Sequence, residues 1–144
     1  MDRAELAVSL FEKGCSCSQA ILAAFGDRFG VDREFALRIA AGFGGGMGRM
    51  AETCGAITGA IMVIGLRYGG TDPKDRQAKD KAQAIVREFA DRFVSLNDSL
   101  LCRALLGCDI STSEGYELAK EKKLFTTICP KYVKDAAEIL DAMI

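Results

Sequence analysis

The sequence predicts a single all-α domain, and three observations carry that reading. Apolar residues recur at three- and four-residue steps through most of the chain. No stretch alternates with period two over any useful length. Ser, Thr or Asp stands at the head of most apolar runs, with Gly near the end of several. No internal repeat or linker divides residues 1–144, so about seven or eight helices are expected in one compact domain around a central Gly/Ala-rich helix.

Residues 2–13 read as a short amphipathic helix stopped by Gly14. Ser16 and Gln19 then form a capping box, opening a helix that runs to about Phe29 and ends at Gly30. Asp32 caps a third helix with Phe35, Ile39 and Phe43 along one face. A glycine loop leads into the most apolar stretch, Gly55 to Leu66. Here Thr53 is the expected N-cap and Cys54 the first helical residue, at the positive end of the macrodipole. Gly55, Gly59 and Gly65 each cost this helix about 1 kcal/mol relative to Ala, which implies that neighbouring backbones approach closely.

Past Gly69-Gly70, Asp72 is the expected cap and Pro73 the first residue of a long helix. Its core-facing stripe is Ala78, Ala82, Ile85, Val86, Phe89 and Phe93. Ser99 caps a short turn of helix that contains Cys102 and closes at Gly107. Ser111-Thr112-Ser113-Glu114 reads as a second capping box, opening a charged helix to about Lys123. The last helix starts at Cys129-Pro130 and keeps Tyr132, Val133, Ala136, Ala137, Leu140 and Met143 at helical spacing.

Composition narrows the chemistry. With 49% hydrophobic and 27% charged residues and a net charge of −1, nothing points to nucleic acid or to an anionic membrane. The N-terminus lacks the apolar run of a signal peptide, and the longest apolar run is too short to span a bilayer. A cytoplasmic address without membrane insertion is therefore expected. In that setting six cysteines suit metal ligation or redox chemistry better than structural disulfides. The absence of histidine removes imidazole general bases, Cys-His and Ser-His pairs and mixed Cys/His metal sites. No carboxylate or lysine constellation takes their place, which argues against a conventional hydrolase or transferase.

The expected helix boundaries sort the six thiols. Cys17 and Cys54 fall at the first helical position, Cys102 at about the third, and Cys129 at a cap before proline. A helix start carries free N–H groups and partial positive charge, an environment that lowers a thiol pKa. These four form the core set of redox thiols or ligands. Cys15, just outside its helix, and Cys108, at a helix end, are accessories. Any one cysteine is more often a small buried hydrophobe than a reactive group; the coincidence of four helix starts favours a shared role. No paired CxxC of standard ligand spacing is present.

The loop Gly42 to Gly48 has no G-x-G-x-x-G, no following GK[ST] and no preceding strand, so it is not a nucleotide cradle. Gly45 and Gly46, with Gly55, are expected instead to present backbone N–H groups as a nest around the thiols. Arg49 either supplements that nest or is a solvated charge. Glu52 reads as a first-turn residue rather than a proton carrier.

The segment GFGGGMGRMAETCGAITGAIMVIGLRYG, with Cys17-Ser18-Gln19-Ala20 before it and LCRALLGCDIST and TTICPKYVKDAAEIL after it, resembles the C_GCAxxG_C_C family of redox-active proteins. The string GCAxxG itself is replaced by Cys54-Gly55-Ala56-Ile57-Thr58-Gly59, the CGAxxG form of the motif. The resemblance covers nearly the whole chain. It implies four characteristic cysteines, carried onto Cys17, Cys54, Cys102 and Cys129, with Cys108 the competitor for the third place. It also implies a redox role, often beside transporter genes, and related domains accompany an iron–sulfur centre.

Two redox mechanisms follow, an iron–sulfur cluster on the four cysteines or dithiol/disulfide exchange with a redox partner protein. The contrasting class is a four-cysteine zinc site, or a structural or interaction module with no cofactor. A functional link to a membrane transporter and assembly as a homodimer both stay open.

Overall fold

In the computed structural model, which describes residues 1–144, the chain forms nine α-helical segments and no β-strand. They are α1 (Arg3–Glu12), α2 (Cys17–Gly26), α3 (Arg33–Ala40), α4 (Gly55–Tyr68), α5 (Arg76–Asn97), α6 (Cys102–Leu106), α7 (Ser113–Glu121), the single turn α8 (Leu124–Thr127) and α9 (Cys129–Met143). No helix is long and apolar enough to cross a membrane.

Local chemistry accounts for most helix starts. Asp2 and Ser16 each close a full capping box, Asp2 with Glu5 and Ser16 with Gln19. Asp32 accepts from the Phe35 N–H at 2.7 Å to start α3. Gly30, with φ 80°, ends the turn that follows α2.

Elsewhere the boundaries shift from expectation. Asp72 and Pro73 belong to a turn, in which Asp72 accepts from the Lys74 N–H, and Asp75 caps α5. Ser99 accepts from Leu101 N–H one step early, so Leu101 is the N-cap of α6. Thr112, rather than Ser111, caps α7 by accepting from Gly115 N–H at 3.0 Å. Ser111 instead donates its hydroxyl to Asp109.

Helices α2 and α4 share the centre. Every residue of α2 from Ser18 to Gly26 except Gln19 is buried, and α4 buries Gly55–Ala60, Val63 and Ile64. Glycine makes this closeness possible. A Cβ at Gly59 would lie 2.9 Å from both Ile21 Cβ and the Ser18 carbonyl oxygen, and one at Gly55 would lie 2.9 Å from Ser18 N. Gly65 departs from expectation: it is exposed, and a Cβ there would meet nothing within 4 Å. Phe89 and Phe93 of α5 and Val133, Ala136, Ala137 and Leu140 of α9 close the core from other sides.

The stripe expected on α3 is also displaced. Ala36 and Ala40 are fully buried, whereas Phe35 and Ile39 are 54% and 49% exposed. Both sets fit the helical period. The alanine face lets α3 lie close to α2, and the larger side chains one position earlier fall on its flank.

A smaller cluster, built around Ala51, Cys102, Leu106, Ile110, Ala119 and Cys129, packs beside the main core. A short antiparallel seam ties it down. Thr53 and Leu101 form an isolated bridge, Cys54 N–H donates to the Leu100 carbonyl at 2.8 Å, and Cys102 N–H donates to the Glu52 carbonyl at 2.6 Å.

Candidate functional site

Each of the four core cysteines begins a helix, although three sit one or two places from where the sequence put them. Cys17 is the first residue of α2, as expected. Cys54 is the N-cap of α4 rather than its first residue, because Thr53 is held in the bridge to Leu101. Cys102 is the first residue of α6 and Cys129 the first of α9, followed by Pro130 where no N–H is required.

These four residues and Cys15 line one cavity of about 940 Å³ at the join of the two apolar clusters. Cys108 does not. Its thiol donates to the Gly115 carbonyl at 3.1 Å, and the residue packs against the smaller cluster. All six cysteines are free thiols. Cys54, Cys102 and Cys129 are buried, at 6–8% exposure, while Cys17 is half-buried and packs against both clusters.

The sulfurs are not equivalent. Cys17 neighbours Cys129 and Cys54 in the cavity wall. Interaction with those two thiols, and then burial, pushes its own pKa well above the ordinary thiol value. Cys54 shifts the other way: the neighbouring Cys17 is the main influence lowering its pKa, against the opposing effect of burial. The N–H groups of Ala56 and Ile57 add to the lowering, though neither closes a formal cap bond.

Cys102 is pushed up to about 12, first by burial and then by the neighbouring Cys54 and Cys129. The expectation that helix starts would lower the thiols therefore fails at Cys17, beside two other thiols, and at Cys102. Helix α6 has only five residues, too few aligned peptide dipoles to offset the loss of hydration.

The glycine loop supplies one wall. Gly45, Gly46, Met47, Gly48, Arg49 and Ala51 all have positive φ, three of them non-glycine residues in a region that usually costs about 1–2 kcal/mol each. Gly46 packs so closely that a Cβ on it would lie 2.7 Å from Cys102 Cβ. Long-range turns such as Ala51 N–H to the Gly45 carbonyl and Glu52 N–H to the Gly46 carbonyl hold the shape. Arg103 clamps it from outside, donating to the Ala51 carbonyl at 3.0 Å and the Met50 carbonyl at 3.3 Å while pairing with Glu52. The expected glycines Gly45, Gly46 and Gly55 all line the cavity.

Sequence reasoning missed Arg103, Tyr116 and Tyr132. No local pattern marks Arg103 as a loop clamp. Tyr132 was assigned to the core stripe of α9; it lines the cavity and donates its hydroxyl to the Leu105 carbonyl at 2.7 Å.

An all-thiol donor set suits cluster iron or zinc chemically. As arranged, however, no three Cys, Asp or Glu side chains gather around a common point to hold a metal ion.

A family model described as "Putative redox-active protein (C_GCAxxG_C_C)" matches residues 15–143, a span that contains all six cysteines and the whole cavity wall except Phe11 and Gly14. Comparison with curated proteins and with solved structures returns no match.

Proposed function

The chain belongs to the C_GCAxxG_C_C family, and on that premise we propose that it works as a dithiol/disulfide couple, with Cys54 as the attacking thiolate and Cys17 as the resolving thiol. The observation that supports this reading is that both thiols stand at helix starts in one cavity wall. There the Cys54 pKa is lowered, first by the neighbouring Cys17, while that of Cys17 is raised, which favours the thiolate at Cys54 and the thiol at Cys17.

The chemistry balances with an oxidised substrate of the disulfide class. Cys54 thiolate attacks one sulfur of the substrate, forming a mixed disulfide and releasing the other half as a thiolate. Cys17 then loses its proton and attacks Cys54 Sγ, forming the Cys17–Cys54 bond and releasing the second half. Two electrons pass to the substrate and two protein thiols are oxidised. A dithiol reductant restores them by the reverse exchange. Cys129, in the same cavity wall, takes up the bond in this reading if the disulfide shuffles.

No three Cys, Asp or Glu side chains gather to hold a metal ion, and the exchange routes every step through sulfur. The test is anaerobic purification with iron, sulfide and zinc analysis and a visible spectrum, followed by peptide mapping after mild oxidation. Metal-free protein that gains a reversible Cys17–Cys54 bond, lost in Cys54→Ser with helical content intact, is the expected result. Stoichiometric iron and sulfide with charge-transfer bands would replace exchange by a cluster. Stoichiometric zinc with inert thiols would refute redox chemistry altogether.

A further inference from the structure

The cavity has an electrical character that the thiols do not explain. Apart from the Cys54 thiolate of the exchange reading, Arg49 is the only charged side chain that lines it, and no carboxylate does. Arg3, Arg28, Arg92 and Arg103 are ion-paired; the exposed Arg49 side chain, like those of Arg33, Arg38, Arg67, Arg76 and Arg87, has no carboxylate partner, and it makes no side-chain hydrogen bond. Its guanidinium instead lies over the Tyr116 ring, 3.8 Å from the centroid, and Tyr116 lines the same cavity.

The remaining polar groups of the wall are unequal in the same sense. Gln19, Ser111 and the Tyr132 hydroxyl are engaged with partners inside the protein. The Tyr116 hydroxyl and the N–H groups of Gly45 and Gly46 have no partner within the chain; the N–H groups can only donate, and the hydroxyl can donate as well as accept. A cavity offering unpaired donors and one unpaired cation is complementary to an anion. Phe11, Leu106 and Phe125 make the rest of the wall apolar.

Resting on the exchange reading above, we propose that the substrate is a small organic disulfide bearing acid groups, with a carboxylate held by Arg49 and the sulfur–sulfur bond presented to Cys54. Size follows from placement. Cys54 is 6% exposed inside a cavity of about 940 Å³, within the usual range for small-ligand sites. The electron count is the one given above: both halves leave as anionic thiols and Cys17–Cys54 forms.

Three probe disulfides test this: dithiodipropionate (anionic), bis(2-hydroxyethyl) disulfide (neutral) and cystamine (cationic). Each rate is divided by the rate of the same compound with a small free thiol. The wild-type protein is expected to prefer the anionic compound over the neutral one roughly tenfold, as a charge-assisted contact predicts, and to disfavour cystamine. In Arg49→Gln the anionic-to-neutral ratio falls to about one, and in Arg49→Lys part of it returns. Calorimetry with adipate, a dicarboxylate without sulfur, should show binding to the wild type that Arg49→Gln loses.

Charge-blind exchange, or a preference that survives Arg49→Gln, would overturn this assignment and leave the exchange reading standing. Adipate binding through Arg49 with no exchange toward any of the three compounds would overturn the disulfide as substrate together with the exchange reading.

Discussion

Replacing Gly59 by alanine sets two effects of known sign against each other. In a helix interior the change gains about 1 kcal/mol of intrinsic stability. At this position the new methyl would stand 2.9 Å from Ile21 Cβ, 2.9 Å from the Ser18 carbonyl oxygen and 3.2 Å from Ser18 Cα. Ordinary contact begins near 3.4 Å, so α2 and α4 must separate by roughly half an ångström. Two of the three opposing atoms are backbone, and rotamer changes cannot move them. Overpacking of this kind costs roughly 1–3 kcal/mol. The net is a loss of about 1 kcal/mol, or about 3–5 °C in Tm for a chain of this size.

Gly65→Ala is the internal control. It sits in the same helix with nothing within 4 Å, so it should raise Tm by about as much. Thermal unfolding followed by circular dichroism reads both. Gly59→Ala also moves Cys17, at the head of α2, relative to Cys54, and should slow formation of their disulfide in excess of its effect on Tm. Equal stabilisation by the two alanines would refute the claim that glycine lets these helices touch.

Other substitutions separate the roles of the thiols and the loop. Cys17→Ala removes the main group that favours the Cys54 thiolate; alkylation of Cys54 followed against pH should show its inflection moving up toward 9.0 or above, and an unmoved inflection would remove Cys17 from the account. Cys102 has its pKa raised in the folded state, so its neutral form contributes stability that is fully present below 9.0 and lost as pH rises toward about 12. Cys102→Ser should accordingly flatten the fall of Tm above pH 9, whereas an unchanged slope would mean that the thiol titrates normally. Arg103→Lys keeps the charge but loses the fork that grips Met50, Ala51 and Glu52. Amide exchange at Ala51 and Glu52 should accelerate by roughly tenfold while the α9 core stays protected, and uniform exchange across both would show that the clamp is ornamental.

The fold was largely readable because its signals are local. Capping chemistry at Ser16 and Asp32 and the stripe on α5 each depend on residues within one or two turns. Reading failed where a nearby residue offered the same chemistry, as with Asp75 against Asp72 and Thr112 against Ser111. It also failed where two stripes fitted one period, as with Ala36 and Ala40 against Phe35 and Ile39. Gly55 and Gly59 announced a close approach correctly, but composition could not separate them from Gly65, which faces open space. The cysteines were placed at helix starts within one or two positions. Which sulfurs share one cavity wall is a matter of tertiary contact, and no spacing in the chain encodes it. Arg103 was invisible for the same reason, since its partners lie some fifty residues away and are mostly carbonyls.

The bridge between Thr53 and Leu101 has a mechanical meaning as well. Because the peptide bonds beside Cys54 and Cys102 are laced to each other, those two sulfurs travel as one rigid body, while Cys17 and Cys129 ride on separate struts. Under the proposed exchange, drawing Cys54 toward Cys17 as their bond closes would drag Cys102 and the wall resting against it. The oxidised and reduced molecules would differ in the shape of their vestibule, and a protein with no swinging domain would still announce its electron count to whatever sits there.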